Sequence, residues 1–178
     1  MTDRFRLTLG QLDATVGDIA GNLAKARAAW EEGRAAGADL VAVPEMFATG
    51  YQLQDLVMKP AFHRDAIRAV EGFAATVADG PALLVGAPWA EGGALHNAYW
   101  LLRGGRVAGR KLKHELPNYT VFDERRHYAP GPVGEPFEVG PLKVGTPVCE
   151  DAWFPTVAAA MDAQGAKLLV VGNGSPYY

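Results

Sequence analysis

The single cysteine of this 178-residue chain, Cys149, is the first candidate for chemistry. It follows a strand-like stretch at 143–148 and precedes Glu150, Asp151 and a helix predicted from Pro155. Amides at a helix N-terminus lower the pKa of a thiol and stabilise an oxyanion, so we expect such amides to activate Cys149. A lone cysteine is more often a small buried apolar residue, and position alone leaves both interpretations open.

Two charged residues stand at the ends of predicted strands. Glu45 ends the apolar stretch 39–44, which is typical of a strand buried on both faces, and carboxylates at such ends face the ligand crevice of a parallel sheet. Lys113 ends the predicted strand 106–113 and shares a face with Lys111, so alternation does not choose between the two lysines. A single glutamate or lysine is more often a solvated surface residue.

Other catalytic or binding constellations have weaker support. A dyad of Cys149 with a histidine stays open but has no motif behind it. The histidines lack close metal-ligand spacing, and no Walker-type phosphate loop is present. The four histidines are His63, His96, His114 and His127, of which the last two fall in a long irregular segment at 116–136.

Composition limits the classes of function. The net charge of −3 offers no general basic field for nucleic acid. No apolar run reaches the roughly 18 residues of a membrane span, so no membrane partner is expected. A single cysteine excludes an intrachain disulfide, and the sequence therefore predicts a reducing, cytoplasmic setting.

The elements that must position these residues alternate between strands and helices at both ends of the chain, with hairpins between. This order predicts an α/β fold with a mixed sheet covered by helices. The predicted helices are 22–36, 61–77 and 155–164, and the predicted strands are 5–12, 39–44, 81–87, 95–102, 106–113, 137–139, 143–148 and 166–171. Because the chain stops soon after its last strand, we expect it to be the first part of a longer one.

Several motifs resemble the nitrilase superfamily, whose members carry a Glu–Lys–Cys triad. The matching stretches are VAVPE at 41–45, KHELPNY at 113–119 and VCED at 148–151. Within the superfamily, the chain most resembles the glutaminase domains of glutamine-dependent NAD synthetases. The matching pieces are TGY at 49–51, DL at 55–56, LPNYTVFDE at 116–124, CED at 149–151 and GSPY at 174–177.

The resemblance implies a four-layer αββα sandwich, seen here incomplete at its C-terminal end. Residues 1–178 would be the N-terminal part of a domain that hydrolyses the side-chain amide of glutamine. It implies Cys149 as nucleophile, Glu45 as base, and Lys113 with a backbone N–H near Glu150 as oxyanion partners. The residues implied to contact glutamine are Tyr119 and Ser175, and Glu124 would hold the substrate amino group or orient the catalytic groups.

The resemblance also implies partners outside this chain. The amidase step needs no cofactor, whereas ATP and Mg²⁺ belong to an absent synthetase domain that uses the ammonia to convert deamido-NAD to NAD, within a homo-oligomer. A stand-alone amidase or carbamoylase is the first alternative, although such enzymes usually place an aromatic residue where Glu150 stands. The second alternative is an inactive, truncated scaffold.

Overall fold

Two β-sheets occupy the centre of the molecule. The computed structural model describes residues 4–175. The strands are β1 (Leu7–Leu9), β2 (Leu40–Ala42), β3 (Ala82–Glu91), β4 (Ala94–Arg103), β5 (Arg106–Leu112), β6 (Phe137–Val139), β7 (Leu142–Gly145) and β8 (Leu168–Leu169). The helices are α1 (Ile19–Ala35), α2 (Pro60–Ala74), α3 (Glu124–His127) and α4 (Pro155–Ala163), and 3₁₀ turns lie at Gln54–Met58, Ala75–Val77 and Cys149–Ala152.

The larger sheet is mixed, as the sequence predicts. Its order is β1-β2-β3-β4-β5, with parallel pairing from β1 to β3 and antiparallel pairing from β3 to β5. The hairpin between β4 and β5 turns at Gly104 and Gly105, whose φ angles of 59° and 76° suit glycine. The smaller sheet has the order β6-β7-β8, antiparallel and then parallel.

Apolar clusters join the elements into four layers. Helices α1 and α2 cover one face of the larger sheet through residues such as Trp30, Val70 and Trp100. Its other face packs on the smaller sheet, where Tyr99 is part of the shared cluster. Helix α4 covers the far face of the smaller sheet and places Met161 against β7. This order of layers confirms the predicted αββα sandwich.

The helices begin where local chemistry favours them. The Asp18 side chain caps α1 by accepting a hydrogen bond from the N–H of Gly21 at 2.9 Å. Helix α2 begins at Pro60, a residue that suits the first turn because it has no N–H to leave unpaired. Within residues 4–175, no helix combines the length and apolar character needed to cross a bilayer.

The last strand departs most from the sequence prediction. It was predicted over the apolar stretch 166–171, but β8 contains only Leu168 and Leu169. A single further bridge joins Val148 to Gly172. Leu169 and Val171 remain 43% and 41% exposed, because among the described residues only β7 pairs with β8. The apolar composition of 166–171 therefore overstated its burial.

Candidate active site

A tight turn after β2 holds Glu45 against the larger sheet. The N–H of Ala48 donates to the carbonyl of Gly86 at 2.9 Å, which brings this turn against β3. A Cβ at Gly86 would lie 2.0 Å from the backbone nitrogen of Met46, so the close approach requires glycine. The carboxylate of Glu45 is consequently held inside the protein, and the residue is 2% exposed.

Lys113 meets Glu45 and Glu124 in a buried ion-pair cluster. The lysine Nζ lies 2.8 Å from Oε1 of Glu45 and 2.9 Å from Oε2 of Glu124. Burial alone would lower the pKa of Lys113, but the two carboxylates outweigh it and hold the pKa above its usual range. The lysine is therefore a fixed positive charge at the end of β5.

Glu124 is a buried carboxyl group whose pKa lies above its usual range. Burial raises its pKa to about 7, and the charge of Glu45 adds to this effect while Lys113 opposes it. Tyr51 donates to Oε1 of Glu124 at 3.0 Å, and Asn97 Nδ2 donates to Oε1 of Glu45 at 2.7 Å. Two carboxylates facing one ammonium leave an excess negative charge, which a proton on Glu124 removes.

Cys149 lies in a strained turn after β7, beside the cluster. Its φ of +48° is unusual for a residue with a side chain, and its N–H donates to the carbonyl of Gly172 at 2.8 Å. It opens the 3₁₀ turn Cys149–Ala152, whereas α4 begins only at Pro155. The expectation that helix amides act directly on the thiol is therefore wrong.

The expected direction of the thiol's pKa shift is also wrong. Burial raises the pKa of Cys149 to about 12, the charge of Glu45 adds to this effect, and Lys113 and the backbone of Gly174 oppose it. The resting thiol is therefore protonated. A protonated thiol must lose its proton before it can act as a nucleophile, and Glu45, whose charge and hydrogen bonding raise the thiol's pKa, is the neighbouring carboxylate.

Tyr119 contacts the acidic residue that follows the cysteine. Its hydroxyl lies 2.9 and 3.1 Å from the two carboxylate oxygens of Glu150, which is 7% exposed. Half of Tyr119 itself is exposed, at 50%. An aromatic residue and a carboxylate are therefore paired at the position that follows Cys149 in the chain.

Ser175 lies on a cleft that reaches the same cluster. The cleft has a volume of about 580 Å³, and Glu45, Tyr51 and Gly174 also line it. The hydroxyl of Ser175 contacts the side chain of Asn173 at 3.1 and 3.3 Å, not the catalytic cluster. Pro176 and Tyr177 of the GSPY motif lie outside the described residues.

The structure distinguishes Lys111, which lies in β5, from Lys113, which directly follows this strand. Both are buried, so the view of Lys111 as a surface residue is wrong. Lys113 enters the carboxylate cluster, whereas Nζ of Lys111 has no hydrogen-bond partner within residues 4–175. Burial lowers the pKa of Lys111, and the nearby charge of Asp151 opposes this only in part.

The histidines offer no dyad among the described residues. Each ring bonds to a group remote from the thiol: His63 to Val57, His96 to Ala129, His114 to Gly131 and His127 to Asp55. Across the same residues, no group of three or more His, Cys, Asp or Glu side chains is arranged to hold a metal ion. The side chains that shift the pKa of the thiol are Glu45 and Lys113, with no histidine among them.

Sequence reasoning missed two members of the cluster. Asn97 is 1% exposed and donates to both Glu45 and Glu124, the latter at 3.4 Å. Tyr51 belongs to the TGY motif, for which no role of the tyrosine was predicted, and its hydroxyl donates a hydrogen bond to Glu124. An asparagine directly before the apolar residues 98–102 of β4 was the available signal, because buried amides normally serve a hydrogen-bond network.

Comparisons with known proteins agree with this geometry. The carbon-nitrogen hydrolase family profile matches residues 6–178. A glutamine-dependent NAD(+) synthetase from Rhodobacter capsulatus is 60% identical over 99% of this chain and 32% of its own length. The chain thus spans about a third of the length of the curated relatives it matches.

Solved structures show the same fold. The glutamine-dependent NAD+ synthetase of Acinetobacter baumannii superposes with a TM-score of 0.92 at 29% identity, covering 98% of this chain and 33% of that one. An amidase from Nesterenkonia sp. AN1, with a covalent adduct on its active-site cysteine, gives 0.81 at 25% identity, covering 95% and 64%. With its family profile matched over residues 6–178, this chain belongs to the carbon-nitrogen hydrolase family.

Proposed function

We propose that this chain hydrolyses the side-chain amide of glutamine through a thioester on Cys149, as the glutaminase part of a glutamine-dependent NAD synthetase. The observation that carries the proposal is a protonated, buried thiol next to a carboxylate that is itself paired with a buried lysine. An amide is a poor electrophile, so its cleavage needs a nucleophile, a base and a stabiliser of the oxyanion.

In the first step, Glu45 takes the proton of Cys149 as Sγ attacks the amide carbon. The oxyanion accepts hydrogen bonds from Nζ of Lys113 and from a backbone N–H near Glu150. An ammonium has three N–H donors, and Glu45 and Glu124 occupy two, which leaves one for the oxyanion. Glu45 then returns the proton to the leaving nitrogen, and ammonia departs.

In the second step, water hydrolyses the thioester. Glu45 takes a proton from the water, the hydroxide adds to the acyl carbon, and the thiolate leaves and regains the proton. Glutamate is released, and Cys149 returns to its thiol form. The raised pKa of Cys149 suits this return, because the free enzyme rests as the neutral thiol.

The substrate is assigned from the groups beside the cysteine. Glutamine carries an α-ammonium, and the Glu150 carboxylate, which Tyr119 contacts at 2.9 Å, complements that charge. Ser175 lines the adjoining cleft and offers a hydroxyl to the substrate backbone. Glu124 faces Lys113 and Tyr51, so we assign it to orienting the lysine and not to holding the substrate amino group.

The fate of the ammonia follows from the relatives. Those from Rhodobacter and Xylella are glutamine-dependent NAD(+) synthetases, about three times as long as the matched region. We place the ATP- and Mg²⁺-dependent amidation of deamido-NAD in the remainder of such an enzyme, with this chain as its ammonia source and no cofactor at Cys149.

A stand-alone amidase is the second candidate, favoured by the fold shared with the Nesterenkonia amidase, of which the chain covers 64%. The two differ in substrate. A glutaminase selects the amino-acid end, whereas a general amidase accepts acetamide or a carbamoyl compound. Hydrolysis of acetamide as fast as glutamine would favour the second candidate.

The test uses the intact protein that contains these residues. Cys149→Ala is expected to abolish glutamine-dependent NAD synthesis while synthesis from added ammonium salts continues, because the thiol serves only the amidase step. Cys149→Ser is the matched variant with a poorer nucleophile. Near-normal glutamine hydrolysis in Cys149→Ala would refute the proposal.

A further inference from the structure

We propose that Asp151 is a positioning residue that fixes the turn of Cys149 relative to the end of the strand that carries Lys113. The inference rests on the proposed function, because it concerns the geometry of the same reaction. Asp151 belongs to the motif after the cysteine, but the mechanism above gives it no role. Its side chain touches neither the thiol nor the lysine; it acts through the backbone on both sides.

The carboxylate of Asp151 is fully buried and accepts three backbone hydrogen bonds. Oδ1 accepts from the N–H of His114 at 3.0 Å and from that of Glu115 at 2.7 Å. Oδ2 accepts from the N–H of Val148 at 3.0 Å. His114 directly follows Lys113, and Val148 directly precedes Cys149, so one carboxylate joins the immediate neighbours of the proposed nucleophile and oxyanion partner.

The two segments held by Asp151 belong to different sheets. His114 and Glu115 continue from β5 of the larger sheet, and Val148 follows β7 of the smaller one. The sheets also meet through apolar residues such as Leu84 and Val144, and through a hydrogen bond from Arg103 to the carbonyl of Glu138 at 2.7 Å. Apolar contacts set a spacing but are non-directional, whereas hydrogen bonds to a carboxylate fix direction and distance.

Only an aspartate at this place satisfies all three donors. Asparagine has one acceptor oxygen, so its NH₂ group would face one backbone N–H and leave it buried without an acceptor. The neighbouring acidic residue of the same turn behaves differently, because Glu150 points to Tyr119. Glu150 and Asp151 therefore do not share one role as negative charges in the turn, because their carboxylates contact different partners.

The consequence concerns proton transfer and attack. Glu45 and Lys113 are fixed to each other at 2.8 Å, but the thiol must be brought to them from the other sheet. A misplacement of about 1 Å in such an arrangement costs a rate factor on the order of 100. We therefore expect Asp151 to affect the acylation rate far more than the binding of glutamine.

The test compares Asp151→Asn with Asp162→Asn in the intact protein. Asp162 is exposed on α4 and serves as the control for removing an aspartate charge. For Asp151→Asn, we expect kcat for glutamine hydrolysis to fall about 100-fold, with KM changed by less than about twofold. Alkylation of Cys149 by iodoacetamide, followed by peptide mass spectrometry, should slow together with kcat, while NAD synthesis from added ammonium salts stays unchanged.

Two results would overturn the inference. The first is a kcat and alkylation rate in Asp151→Asn equal to those of Asp162→Asn. The second is a loss shared equally by glutamine- and ammonia-dependent activities with a lower Tm, which would mark Asp151 as merely structural. Because Asp151→Ala leaves all three backbone N–H donors without an acceptor and risks misfolding, the asparagine variant decides. Cys149→Ala is measured in parallel: glutamine hydrolysis surviving in it would refute the proposed function itself, whatever Asp151 does.

Discussion

The two sides of the candidate site are built in different ways. On the larger sheet, Glu45, Lys113, Glu124 and Asn97 contact one another through side chains, with ionic distances of 2.8 and 2.9 Å. On the smaller sheet, Cys149 is held through backbone geometry, with a φ of +48° and a 2.8 Å bond from its N–H to Gly172. One side fixes charge and protonation, whereas the other fixes position.

This difference determines what a substitution should change. Removing a charge from the larger-sheet side disturbs the pKa values of its neighbours, because each carboxylate and the ammonium perturb one another. A change on the smaller-sheet side leaves those charges in place and alters alignment or substrate contact. The following predictions test that division, beginning with the largest effect.

Replacing the proposed base should have the largest effect. Glu45→Gln keeps the shape of the side chain but cannot accept the proton of Cys149, whose pKa burial raises to about 12. We expect kcat for glutamine hydrolysis to fall by at least about 1,000-fold, measured by ammonia release. The control is Glu135→Gln, on an exposed glutamate. A decrease below tenfold would show that another group takes the proton.

The two buried lysines form a matched pair for the second prediction. Lys113→Met should reduce kcat about 100- to 1,000-fold and destabilise the fold by about 3 kcal/mol, because two carboxylates lose their cation. Lys111→Met should leave kcat unchanged and stability equal or higher, since Nζ of Lys111 has no hydrogen-bond partner within residues 4–175. Ammonia release and chemical denaturation measure both. Equal effects of the two variants would contradict the division of roles.

Glu124 should give the larger-sheet side a characteristic pH dependence. Its pKa is raised by burial from its usual 4.5 to about 7, so between these values the folded protein holds a proton that the unfolded chain has lost. Stability from this group is therefore present below about pH 4.5 and is lost as the pH rises through 7. Glu124→Gln cannot ionise and should lack this loss, which we expect to be on the order of 2 kcal/mol.

Denaturation in urea at pH 5, 6, 7 and 8 would measure the effect. The difference between the parent protein and Glu124→Gln should shift in favour of the variant as the pH rises. A constant difference over this range would mean that Glu124 is already ionised at pH 5 in the folded protein. The exposed Asp123, the neighbour of Glu124, supplies a control as Asp123→Asn.

The sequence predicted most of the fold because its signals are local. The glycines at 104 and 105, the apolar β2 and the proline at the start of α2 each determine their own element. The last strand was overestimated because apolar composition alone does not reveal how many neighbours a strand has. Local signals therefore predict where an element lies better than they predict how deeply its residues are buried.

The candidate site was predictable in its residues but not in its electrostatics. Motifs indicated Glu45, Lys113 and Cys149, whereas alternation along the strand alone did not choose between Lys111 and Lys113, which their partners in the structure distinguish. The direction of the thiol's pKa shift depends on burial and on Glu45, which is 104 positions away in the chain, so no local pattern contains it.

The smallest expected effect concerns the contact of Tyr119 with Glu150, the residue that follows Cys149 on the smaller-sheet side. Its hydroxyl contacts Glu150 at 2.9 Å and thereby orients the carboxylate that we assign to the α-ammonium of glutamine. Tyr119→Phe removes this contact but leaves Glu45, Lys113 and Glu124 untouched, so protonation and the chemical step should continue. We expect KM for glutamine to rise about five- to tenfold with kcat within about twofold, since a lost hydrogen bond to a charged group is worth about 1.5 kcal/mol. Tyr51→Phe is the matched comparison, because its hydroxyl bonds instead to Glu124 at 3.0 Å and should lower kcat. Steady-state kinetics of both variants decide the matter: a fall in kcat for Tyr119→Phe with KM unchanged would place Tyr119 in the charge network and remove the distinction between the two sides.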